Sequence, residues 1–124
     1  MNKYLILLTL IFISCEDLKY QRKIISQGAI TVEWYFEPTW RYITPERVVI
    51  KKGKEEVMLF KASDAIVDID IKYDSILIKL YKPHRAIIYT KNPPKHVWNY
   101  RIVIDTTGSY KEYRNRPRSK EVYF

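Results

Sequence analysis

The sequence predicts an all-β fold: a small antiparallel β-sandwich or barrel-like meander of about seven to eight short strands. Three observations carry this expectation. Apolar and polar residues alternate over Ala29 to Phe36 and over His96 to Asp105, the period of a half-buried strand. Arg47 to Phe60 and Ile66 to Tyr81 each double back about a central turn, with matched residues on the two arms. Turn residues recur about every 8–12 positions, and no helical period follows Cys15.

In the first strand Ile30, Val32, Trp34 and Phe36 share one face, and Thr31, Glu33 and Tyr35 the other. Glu37-Pro38-Thr39 ends it, and an aromatic-rich loop runs through Trp40, Arg41 and Tyr42 to Pro45. A two-residue type II′ turn wants glycine first, which puts the next turn at Gly53-Lys54. Lys52 then faces Glu55, Lys51 faces Glu56, Ile50 faces Val57, and Val48 faces Leu59. A slip of one residue sets Ile50 against Glu55 and loses the agreement, so the register is well specified.

The second hairpin turns at Tyr73-Asp74. Ile71 faces Ile76, Ile69 faces Ile78, Val67 faces Leu80, and Asp68 faces Lys79. Pro83 interrupts the pattern, Ala86 to Thr90 is a short apolar strand, and Asn92-Pro93-Pro94 breaks it. Over His96 to Asp105, Trp98, Tyr100, Ile102 and Ile104 lie together, with Asn99 and Arg101 opposed. Thr106 to Ser109 is a turn, and Val122-Tyr123-Phe124 closes the sheet.

The start of the chain follows another logic. Lys3 leads into an apolar run from Leu5 to Ile13, then Ser14 and the sole cysteine, Cys15. That order is a secretory signal, and the run falls short of the ~20 residues that cross a bilayer as a helix. Phe12-Ile13-Ser14-Cys15 resembles the lipobox of bacterial lipoproteins, in which a small residue precedes an acylated cysteine. The resemblance covers the leader alone. It implies cleavage before Cys15, diacylglycerol on its sulfur, acylation of its new α-amine, and a place on a bacterial membrane, periplasmic or outer. A secreted protein with a free thiol, or an uncleaved membrane helix, is the alternative. Glu16 to Gln27 is polar and does not alternate. The expected organisation is therefore a helical signal peptide over 1–14, a lipid-anchored tether over 15–27, and one β-domain over 28–124.

Without residues 1–14, which hold Lys3 and no acid, 21 basic and 14 acidic residues remain, a charge of +7. Export argues against nucleic acid as the partner and toward an envelope protein, a glycan or anionic lipid. With a single cysteine no intramolecular disulfide can form, so the domain depends on its core.

No catalytic motif emerges. There is no Gly-x-Ser-x-Gly elbow, and three glycines cannot build a phosphate loop. Asp64, Asp68, Asp70 and Asp74 are dense, but a strand points Asp68 and Asp70 outward side by side, without the bent loop calcium needs. His84 and His96 flank proline-bounded loops and lack a third zinc ligand. The expectation is a non-enzymatic binding or structural module without metal or cofactor. The alternative is a small hydrolase or metal-dependent enzyme using loop histidines and acids. Besides Cys15 as the lipidation site, two groups are candidates for ligand contact. Tyr35, Trp40 and Tyr42 could stack on a sugar. Arg114, Arg116, Arg118 and Lys120 recur every second residue and in an extended segment would project to one side toward phosphates or acidic glycans.

Overall fold

Alternating segments become strands because each buries one apolar face, and ten of them form in the part of the chain described by the computed structural model, residues 18–38 and 44–123. They are β1 (Leu18–Gln27), β2 (Ile30–Phe36), β3 (Glu46–Lys52), β4 (Glu55–Ser63), β5 (Ile66–Lys72), β6 (Ser75–Leu80), β7 (Ile87–Ile88), β8 (His96–Val97), β9 (Tyr100–Asp105) and β10 (Lys120–Tyr123). One short helix, α1 (Tyr110–Arg114), precedes β10. Six strands make one sheet in the order β10-β1-β2-β3-β4-β7, and four make the other, β5-β6-β9-β8. Val32, Trp34, Val48, Ile50 and Leu59 of the first sheet pack with Ile66, Ile69, Ile76, Ile78 and Leu80 of the second in one buried core. The fold is the expected all-β sandwich, with more strands than expected. Among the described residues no helix is long and apolar enough to cross a membrane.

Both hairpin registers hold near their turns and shift beyond a bulge. Lys52 faces Glu55, Lys51 faces Glu56, and Ile50 faces Val57, but Val48 faces Phe60 because Leu59 is an extra residue on β4. Ile71 faces Ile76 and Ile69 faces Ile78, but Leu80 meets Ile66 rather than Val67. Strict alternation contains no extra residue, so it cannot anticipate either shift.

The stretch from Leu18 to Gln27 departs from the expected tether. It is a full strand, paired on one side with β2 and on the other with β10. Its ladder shifts between Gln21 and Lys23. Tyr20, stacked on Phe36 at 5.2 Å, and Ile25, packed on the core, stand five positions apart. An odd spacing on one face needs a bulge, and this is why the segment shows no period of two.

Three further differences follow from the chain's return paths. β6 and β9 pair in parallel, so the sheet is mixed; the intervening residues supply the long crossover a parallel pair needs. His96 to Asp105 is a hairpin, not one strand, with Val97 opposite Tyr100 and Trp98-Asn99 as its turn. Ser109 accepts the Glu112 amide proton, and the Glu112 carboxylate accepts from the Ser109 amide, a capping box that starts α1 where an extended tail was expected.

Candidate functional site

The topology gives the sandwich two unlike ends. At one, Leu18 lies opposite Tyr123, Tyr20 opposite Phe36, and Phe36 opposite Glu46, so the start of β1 meets the connection after β2 and the end of β10. At the other stand four two-residue turns. Their first central residues all have positive φ: Gly28 at 58°, Gly53 at 61°, Tyr73 at 56° and Trp98 at 52°. Positive φ at the first position alone is the type II′ pattern.

The end near Leu18 holds a buried ionic clasp. Glu46 accepts from Nε of Arg22 on one oxygen and lies 3.5 Å from Nη1 of Arg116 on the other. Arg22 also donates to the Pro117 carbonyl at 3.0 Å, and its guanidinium lies 5.3 Å from the Phe36 ring. Arg116 stacks 4.3 Å from the Tyr113 ring, and the Tyr113 hydroxyl donates to Asp64 at 3.1 Å. Burial pushes the Tyr113 hydroxyl pKa up, and Asp64 adds to that against the opposing charge of Arg116. A cleft of about 220 Å³ opens here between Arg22, Phe36, Thr44, Glu46, Asp64 and Arg116. Its carboxylate and guanidinium groups already face one another. The clasp ties the C-terminal segment to β1 and β3, and its chemistry is structural.

A second buried charge lies on the outer face of the six-stranded sheet. Glu33, opposite Trp34 in the alternation and expected on an exposed face, is only 1 % exposed. Its oxygens accept from Lys19 at 2.7 Å, Gln21 at 2.6 Å and Lys51 at 3.1 Å. Burial alone would raise the Glu33 pKa, but the three donors outweigh it and hold it below the usual glutamate value. For Lys51, burial works downward, but the bond to Glu33 together with the charges of Glu33 and Glu56 more than offsets it, so its pKa is raised.

The residues singled out in the sequence do not assemble into one surface. Tyr35 is buried at 8 % exposure with the Lys19 ammonium 4.8 Å from its ring centre, so it is not free to stack on a sugar. Burial raises its pKa. Trp40, Tyr42 and Cys15 lie outside the described residues. The expected row of Arg114, Arg116, Arg118 and Lys120 does not form. Arg114 sits on α1 with its guanidinium 5.9 Å from Tyr110, Arg116 is drawn into the clasp, and Arg118 and Lys120 are exposed. The helix ends the extended geometry on which the row depended.

Asp68 and Asp70 lie on β5, whereas Asp64 belongs to the clasp and Asp74 to a turn. Asp68 pairs with Lys23 at 2.8 Å, while Lys79, opposite Asp68 in register, is bonded to Glu112 instead. That bond raises the Lys79 pKa and lowers that of Glu112. His84 follows Pro83 near the end of β6, and His96 pairs with Arg101 at the start of β9. Since β6 and β9 run parallel, the histidines occupy opposite ends of their sheet. Among the described residues no group of three histidine, cysteine, aspartate or glutamate side chains could hold a metal.

The hairpin end carries a second group of exposed polar and aromatic side chains. Three contacts join its tips into one surface: Gln27 donates to the Tyr73 carbonyl at 2.7 Å, the Arg101 amide donates to the Asp74 carbonyl at 2.8 Å, and the Lys52 ammonium lies 5.7 Å from the Trp98 ring. Lys52, Lys54, Lys72, Lys95 and Arg101 are exposed there. Tyr73 is the most exposed large hydrophobic side chain among the described residues, at 91 %. The sequence signal for it is an aromatic residue at a turn position that favours glycine. The molecule is thus a two-sheet β-sandwich with a polar, aromatic hairpin face. Comparison with protein families, with characterised proteins and with solved structures found no match.

Proposed function

We propose that this chain is a small exported lipoprotein, anchored through acyl chains on Cys15, that serves as a non-enzymatic binding or structural module at a bacterial cell envelope. The observation that carries the reading is the apolar run from Leu5 to Ile13 ending in the lipobox-like Phe12-Ile13-Ser14-Cys15, and its distance to the fold sets how the domain would sit. Only Glu16 and Asp17 separate Cys15 from Leu18, the first residue of β1. At about 3.3–3.6 Å per residue, the link from Cys15 to Leu18 spans at most about 10 Å. An acyl anchor there holds the clasp end of the sandwich close to the headgroups and turns the four hairpin tips away from the membrane. Two or more chains, at about 0.8 kcal/mol per buried methylene, make such an anchor durable.

The expected result of Cys15→Ser in the full chain is loss of metabolic fatty-acid labelling and transfer to the soluble fraction. A Cys15→Ser protein still in membranes at precursor mass would point to an uncleaved helix. An unlabelled wild-type chain in the culture medium would point to simple secretion.

A further inference from the structure

We infer that the hairpin end is a binding surface for an acidic polysaccharide, with Tyr73 as its stacking platform and Lys72 and Arg101 as its charge contacts. The inference rests on the envelope reading above and names the class of partner. It starts from a cost. Tyr73 holds φ at 56°, a conformation L-residues with side chains adopt rarely, at a position where glycine would fold without strain. The side chain recovers nothing from packing, being almost fully exposed. Glycine stands at the same position of two other turns in this chain, Gly28 and Gly53. A strained, solvated aromatic residue at a rigid tip therefore has its explanation in contact with something outside the chain.

The register shows what surrounds it. Lys72 pairs with Ser75, Ser75 with Arg101, and Arg101 with His96, so these four side chains form one row across the sheet on one face. Lys72 and Arg101 stand two strands apart, roughly 10 Å at the usual strand spacing. Both are exposed, as are Lys52, Lys54 and Lys95 nearby; Glu55 and Asp74 are the acids at the tips themselves, and Glu56 and Asp70 are exposed just behind them. No ion pair among the described residues engages Lys72 or Arg101.

An exposed ring at a tip whose neighbouring residue Lys72 shares a row with Arg101 suits a ligand that joins a flat apolar face to fixed negative charge. A pyranose bearing a carboxylate or sulfate has both, and a polymer of them offers repeated contacts. An extended acidic peptide would instead pair along an open strand edge, β5 or β8, where its backbone rather than the Tyr73 ring would make the contacts, and polyglutamate tests that alternative. An anionic lipid surface is disfavoured by geometry, because the anchor end lies at the opposite pole.

The test uses the full chain, solubilised in a neutral detergent, against immobilised polygalacturonate. Dextran, polyglutamate and vesicles containing phosphatidylglycerol serve as comparison probes. Binding to polygalacturonate is expected to fall with salt and to exceed that to dextran and polyglutamate. Tyr73→Gly is expected to weaken it about 3- to 10-fold, the range of one lost aromatic contact, while the thermal midpoint does not fall. Tyr73→Asn, which also tolerates positive φ, checks that effect on a second backbone-compatible side chain. Lys72→Gln with Arg101→Gln is expected to weaken binding and flatten its salt dependence. The inference is overturned by no binding to polygalacturonate, by Tyr73→Gly binding like wild type, by equal or tighter binding to polyglutamate, or by preference for the vesicles. Acylation is read separately from Cys15→Ser fractionation, so failure of the anchor reading and failure of this surface are distinguishable.

Discussion

Glu33→Ala is expected to destabilise the fold by about 3–5 kcal/mol, the scale for removing one partner of a buried ion pair. The carboxylate side chain is 2 % exposed and takes donors from Lys19, Gln21 and Lys51. Truncation leaves the buried Lys19 ammonium and the Gln21 amide without that acceptor, and their desolvation is no longer offset. Glu37→Ala is the control. Its pair with Arg47 at 3.0 Å has side chains 50 % and 30 % exposed, and such surface pairs contribute about 0–1 kcal/mol. Urea unfolding of the full chain in detergent measures both. Equal losses for Glu33→Ala and Glu37→Ala would remove the claim that burial sets the difference.

The same cluster gives stability a pH dependence whose sign is determined. The folded-state pKa of Glu33 is lowered, so its contribution is present above the unfolded glutamate value, about 4.5, and is lost as pH falls through the lower folded value. The pKa of Lys51 is raised, so its contribution is present below the unfolded lysine value, about 10.5, and is lost as pH rises through the higher folded value. These two groups leave stability flat between their limits; it is expected to fall on the acid side, and Glu33→Gln is expected to reduce that acid slope. An unchanged slope in Glu33→Gln would assign acid sensitivity to other carboxylates.

Gly108→Ala is expected to cost about 1–3 kcal/mol, the scale of forced overpacking. An added Cβ would lie 2.5 Å from the Leu80 carbonyl oxygen and 2.9 Å from its carbon. Both belong to the backbone of β6, and that oxygen already accepts the Gly108 amide at 2.9 Å. Relief requires the turn before α1 to move off the sheet, with Val67, 3.2 Å from the added atom, moving too. Gly108 is needed for space, whereas Gly28 has open room around it and is needed for its φ of 58°. Thermal unfolding should therefore show a loss at Gly108→Ala without any change at the hairpin end. A midpoint matching wild type would mean that the turn yields freely.

Near their turns the hairpins were legible because the determinants are local. Gly53 selects the turn, and the charges of Lys51, Lys52, Glu55 and Glu56 select the register beside it. β1 carries no such local signal, since a bulge near Arg22 breaks the alternation on which strand recognition depends. Arg114 to Lys120 do not form a row because the Ser109-Glu112 capping box, a local signal beneath the pattern of charges, starts a helix there. Tyr35 was assigned to the open face correctly by alternation, but alternation does not report that this face is covered.

The sequence by itself determined that the chain is β-rich, where its main hairpins turn, and which apolar faces join in a core. These follow from periodicity and turn chemistry within about ten neighbouring residues. Only the tertiary structure decided that Leu18–Gln27 is a central strand, that β6 and β9 run parallel, and that Glu33 and Glu46 are buried among cations. It also decided that four turns distant in sequence share one end. Each of these depends on which strands become neighbours, and that choice balances core packing against loop closure over the whole chain.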